Sequence, residues 1–76
     1  MIEGLILVEG DDLSEETLRS VSLGNALQLV VGREPRGGVI LHIAADSAAY
    51  LSDAMLRFAE VRGVTRVLTL ALQTSH

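Results

Sequence analysis

Asp46, Ser47 and Tyr50 follow one another where the apolar run VILHIAA ends, so a carboxylate, a hydroxyl and a phenol share one corner of the chain. A carboxylate there could move a proton and a serine could attack a carbonyl, but each needs a partner group held beside it. Neither serine of that segment, Ser47 or Ser52, has a histidine and an aspartate at nucleophile-elbow spacing, and the same holds for Ser14, Ser20 and Ser22. At a handover from strand to helix, Asp46 or Ser47 has a simpler use: its oxygen caps the free N–H groups of the helix and complements the dipole. Tyr50, one of two aromatic residues in the chain, offers contact area at low entropy cost and suits an interface. Asp46, Ser47 and Tyr50 are therefore expected to bind a partner, with no catalytic residue in the chain.

The other reactive types point away from chemistry as well. His42 and His76 are the only histidines, and neither is joined to a carboxylate or a second histidine by metal-ligand spacing. His42 lies inside an apolar run and reads as a satisfied core or interface histidine; His76 is given no role. Asp11, Asp12, Glu15 and Glu16 form an acidic turn without the oxygen spacing or the glycine of a calcium loop. GREPRGG lacks the Lys-Ser/Thr of a phosphate loop and leads into a strand rather than a helix. No metal and no cofactor is expected.

Composition bounds the partners. The net charge is −4, with six acidic residues and no basic one in the first sixteen positions. Such a chain has no basic stripe for phosphate backbones, so nucleic acid is excluded as a partner. There is no cysteine, hence no disulfide and no thiolate chemistry. No apolar run reaches the length of a membrane span, and the first residues carry no signal-peptide pattern. Seventy-six residues make a single domain, 1–76, that buries only about 60 to 65% of the surface of its unfolded chain. With 49% hydrophobic but only 3% aromatic residues, its core is aliphatic. A second copy is a natural way to add burial, so a homodimer is expected.

These residues must be positioned by a small number of elements. GLILVE, Gly4 to Glu9, reads as a buried strand bounded by glycines. Glu16 to Ser20 is read as a short second strand, with Ser14 as cap of a helical turn the alternative. Leu23, Ala26, Leu27 and Val30 recur at helical spacing behind Ser22 and predict a helix that Gly32 ends. REPRGG is a surface loop. Val39 to Ala44 is apolar on both alternating faces, as in a strand covered on both sides, or by a helix on one side and a partner on the other. A second helix of about fifteen residues follows, burying Leu51, Ala54, Met55, Phe58 and Val61 and turning Ser52, Asp53, Arg57 and Glu60 outward. Gly63 suits the left-handed end of that helix, and Val64 to Leu72 is the last strand, parallel to the preceding one by the crossover rule. The expected fold is a two-layer α/β (α+β) domain, ββαβαβ, with a mixed sheet of about four strands and two helices.

The segment Val21 to Leu72 resembles the soluble domain of the ExbD/TolR family, accessory subunits of proton-driven motors in bacterial inner membranes. The matching residues are VSL at Val21 to Leu23, VILHIAAD at Val39 to Asp46, Tyr50 at the helix start, and GVTRVLTL at Gly63 to Leu70. The resemblance implies an excised extracytoplasmic (periplasmic) domain that dimerises and contacts a transducer protein or the cell wall, without the family's membrane segment. GLILVEGDDLSEETL and ADSAAYL are also similar to the first strand and the Asp-Ser corner of STAS-like domains. That second resemblance implies a cytoplasmic regulatory module switched at Ser47. Both leave the chain a non-enzymatic binding domain.

Overall fold

The computed structural model of the chain describes residues 1–74, so His76 lies outside the described residues. It contains β1 (Ile2–Gly10), α1 (Glu15–Arg19), β2 (Ala26–Arg33), β3 (Val39–Ala45), α2 (Ala48–Ala59) and β4 (Val64–Thr74). The four strands form one sheet in the order β2-β3-β1-β4, and every neighbouring pair is antiparallel. The expected class therefore holds: a two-layer α+β domain of four strands and two helices. The order βαββαβ on this sheet is the split β-α-β topology of ferredoxin-like domains, here with its first helix cut to five residues.

Two elements exchange type relative to the sequence-based expectation. Glu15–Arg19 is the helical alternative, not a second strand: Ser14 caps it and accepts from the Thr17 amide at 3.4 Å, and Glu15 and Glu16 fill the first turn. Leu13 and Leu18, the positions just outside the cap and four beyond it, are both buried, which is the spacing of a hydrophobic staple. The segment expected as the first helix is β2. Gly24 at φ 66° and the following Asn25 form a turn ahead of it, and Ala26, Gln28 and Val30 alternate with exposed Leu27, Leu29 and Val31. The leucine and valine positions fit a period of 3.6 as well as a period of 2; seven cross-strand partners with β3 decide in favour of the strand. Gly32 ends nothing: it lies inside β2, where the register shifts between Val30 and Gly32.

The strand pairing also differs from the expected mixed sheet. β3 and β4 do run in the same direction, as the connecting helix requires, but β1 lies between them and pairs antiparallel with both. The crossover rule fixes the direction of the two strands and leaves room for a third between them. β1 has no exposed residue along its length, as β3 has none, and these two take the central places of the sheet.

The remaining elements follow their sequence signals. Glu34 to Gly38 closes the β2–β3 hairpin through Glu34 N–H to Gly38 O at 2.8 Å and Gly37 N–H to Glu34 O at 2.9 Å. α2 buries Leu51, Ala54 and Phe58 and exposes Ser52, Asp53, Arg57 and Glu60. Asp53 and Arg57 pair at 2.8 Å along its outer face, and Arg57 also donates to the Ser22 carbonyl at 2.9 Å. Gly63 does not take the left-handed position directly after the helix: the cap of α2 is Glu60 in right-handed geometry, and Gly63, at φ 94°, serves the turn that follows, closed by Val64 N–H to Val61 O at 3.1 Å. The core lies between α2 and one face of the sheet, where Ile6, Val8, Val39, Leu41, Ile43 and Phe58 are fully buried. Gln28 reaches under α1 and donates to the Leu18 carbonyl at 3.0 Å, tying the short helix to the sheet.

Candidate interaction surface

The corner expected to bind a partner is assembled by the cap of α2. Ser47, extended at φ −145°, accepts from the Tyr50 amide at 3.3 Å, and its carbonyl accepts from the Leu51 amide at 3.1 Å. Of the two alternatives for the cap, Ser47 takes the position and Asp46 stands one residue outside it, exposed. Asp46 lines a shallow depression with Asn25, Leu27 and Ala44. Tyr50 is 43% exposed on the first turn of α2. Ser47 and Tyr50 are thus joined through the cap, whereas Asp46 belongs to the end of the sheet. Ser47→Ala removes the cap oxygen and is expected to cost about 1 kcal/mol, a fall of roughly 4 to 8 °C in Tm for a domain of this size; Ser47→Asp keeps the acceptor and most of the stability. Thermal unfolding followed by circular dichroism checks both.

A larger feature lies on the other side of the sheet. Along a strand, alternate residues face opposite layers, and the core residues Ile6, Val8, Leu41 and Ile43 fix which face α2 covers. The register then places Leu5 and Leu7 of β1, Ile40, His42 and Ala44 of β3, Leu27 and Leu29 of β2, and Leu68 and Ala71 of β4 on the opposite face. An antiparallel sheet with one solvated face ordinarily alternates polar residues onto it. Here Leu27 is 75% exposed and Leu29 65% exposed. Leu7 alone among these leucines and isoleucines is buried, lying against Gly38 of the hairpin loop.

Polar groups of this face contact one another in pairs. His42 Nε2 lies 3.4 Å from Glu3 Oε1, both half-buried, near the middle of the sheet. Arg66 Nε donates to Glu9 Oε1 at 3.0 Å at the β1–β4 end. No group of three or more His, Cys, Asp or Glu able to hold a metal ion occurs among the described residues, and among them no helix is long and apolar enough to cross a membrane. The acidic turn is partly used locally, with Glu15 3.6 Å from Arg19.

No protein-family model matches the chain, and a search of curated proteins finds no match. The geometry of the surface therefore carries the functional argument.

The expectation for Val39 to Ala44, a helix on one side and a partner on the other, describes β3 in its first half: α2 covers one side, and the other side is open. What sequence reasoning missed is the breadth of the surface. With Leu27 and Leu29 assigned to a helix, they fall outside any sheet face; read as alternate residues of an edge strand, they extend the apolar face from β3 to the edge of the sheet.

Proposed function

We propose that this chain is a non-enzymatic protein-interaction domain that works through the uncovered face of its sheet. The observation that carries the reading is the placement of Leu27 and Leu29, well over half exposed, beside Leu5, Ile40 and Leu68 on a face no helix covers. Exposed large apolar residues gathered on one uncovered sheet face mark a contact site more often than a solvated wall. Of the corner residues, Asp46 adjoins this surface through Ala44 and Leu27 and is read as its rim, while Ser47 and Tyr50 remain with the cap of α2. The resemblance to ExbD/TolR domains supplies a narrower version, an accessory domain that docks on a transducer protein or the cell wall.

A photo-crosslinking amino acid at Leu29, with a second protein carrying it at Asp53 on the outer face of α2, tests the reading in the native cell. The Leu29 position is expected to form a protein adduct, to itself or to another chain, and the Asp53 position none. Absence of any adduct from Leu29 and from Leu27 would sink the proposal.

A further inference from the structure

We infer that the occupant of the uncovered face is a second copy of this chain, packed sheet to sheet about a two-fold axis that runs along the strands. The inference rests on the reading of that face as an interaction surface and names its partner.

The register contains a row that crosses the whole sheet: Leu29 on β2 pairs with His42 on β3, His42 with Leu5 on β1, and Leu5 with Ala71 on β4. One end of this row is high and the other low. Leu29 projects with 65% of its surface exposed, while Ala71 stands at the β4 side of a hollow that Glu3, Gly4, Leu5, His42, Leu72 and Gln73 also line. A two-fold axis parallel to the strands lays the β2 edge of each copy over the β4 edge of the other and keeps each row facing itself. Leu29 of each copy then enters the hollow at Ala71 of its mate, so one surface supplies both the knob and the hole, as an isologous interface demands.

Charge and area agree with this occupant. Within each copy Glu9 is paired with Arg66, and Glu3 lies against the His42 ring at 3.4 Å, so each carboxylate of the face already has a contact within its own copy. At about 4.8 Å per strand and 3.4 Å per residue the open part measures roughly 19 by 20 Å, so two copies cover about 800 Å² in projection and more with side-chain relief. A specific dimer needs about 1,000 Å² in total. The contact is therefore at the small end of specific interfaces. It also answers the one-sided core: a chain of 76 residues gains a second apolar layer from its own copy.

The test is sedimentation velocity and light scattering of the purified chain from micromolar to millimolar concentration. The wild type is expected to pass from monomer to dimer. Leu29→Lys and Ala71→Asp, both at exposed positions, are each expected to stay folded by circular dichroism and to weaken self-association by about 100-fold, since the two-fold repeats every loss. Mixing the two variants is expected to restore a dimer, because the introduced ammonium and carboxylate then face each other at one contact while the other contact keeps its native leucine and alanine. A wild type that stays monomeric throughout overturns the inference. So does a dimer that neither variant weakens, or a mixture that associates no better than its components. A monomer that still forms a Leu29 adduct with another protein in the cell overturns the second copy and leaves the interaction surface standing; a monomer without any adduct removes both.

Discussion

Phe58→Ala is expected to lower the stability of the domain by about 3 to 5 kcal/mol, the usual loss for emptying a buried phenylalanine site. Phe58 is the largest fully buried side chain, on the face of α2 that meets Ile6, Val8 and the β3 residues in one core. The chain has no tryptophan and one other aromatic residue, so no nearby ring can swing into the space. The neighbours are branched aliphatic residues held by paired strands, which collapse poorly into a cavity. A domain of this length has about 4 to 11 kcal/mol of stability in all, so the variant is expected to stand near the edge of unfolding at 37 °C. Urea denaturation at one fixed protein concentration checks the size, with the slope unchanged and only the midpoint moved. Leu56→Ala is the control on the same helix: Leu56 is 63% exposed, and its loss is expected to stay within about 0.5 kcal/mol. Equal losses at the two positions would contradict the placement of the core.

The fold was legible where a segment had one reading. Val39 to Ala44, the Asp53–Arg57 pair and, of the stripe Leu51, Ala54, Met55, Phe58 and Val61, the three residues Leu51, Ala54 and Phe58 stand where a local signal puts them, with Met55 and Val61 half-buried at the margin; Gly63 turns the chain three residues past the Glu60 cap rather than at the helix end itself. The expectation failed where two periods fit the same letters. Leu23, Ala26, Leu27 and Val30 satisfy a helix, and only pairing with β3, a contact between distant segments, turns Ala26–Arg33 into a strand. The signals that point the right way are short-range: Gly24 and Asn25 break the proposed helix near its start, and Ser14 with Leu13 and Leu18 announces a helix one segment earlier. The same misreading hid the open face. A surface made by alternate residues of four strands is scattered along the sequence, and one strand taken as a helix removes its most exposed members, Leu27 and Leu29. The corner at Asp46, Ser47 and Tyr50 was visible because it is local. Which of two oxygens caps α2 depended on backbone geometry, and Ser47 has it.

Gly10→Ala is expected to be the most damaging substitution of a single small residue. β1 ends at Gly10 directly against the turn that joins α2 to β4, and the methyl group would run into the carbonyl oxygen of Gly63, with the Gly63 carbonyl carbon and Val64 Cα each 2.9 Å away. All three are backbone atoms, so no side chain can rotate aside. Relief requires the end of β1 to withdraw from the turn, which breaks the Asp11 N–H to Gly63 O hydrogen bond of 2.9 Å and the Gly10–Val64 pairing at the register shift. Gly63 cannot absorb the movement freely, because it already holds φ 94° in the turn closed by Val64 N–H to Val61 O. Overpacking commonly costs about 1 to 3 kcal/mol, and with the lost hydrogen bond the expected loss is about 3 kcal/mol or more. Gly32→Ala offers the contrast within the same sheet. Nothing lies within 4 Å of a methyl group at Gly32, and its φ is not in the left-handed region, so narrowing the unfolded ensemble is expected to leave stability unchanged or raised by up to about 1 kcal/mol. Urea midpoints of the two variants against wild type decide it: a Gly10→Ala protein as stable as Gly32→Ala would mean that β1 and the α2–β4 turn do not meet as closely as their backbones are placed here.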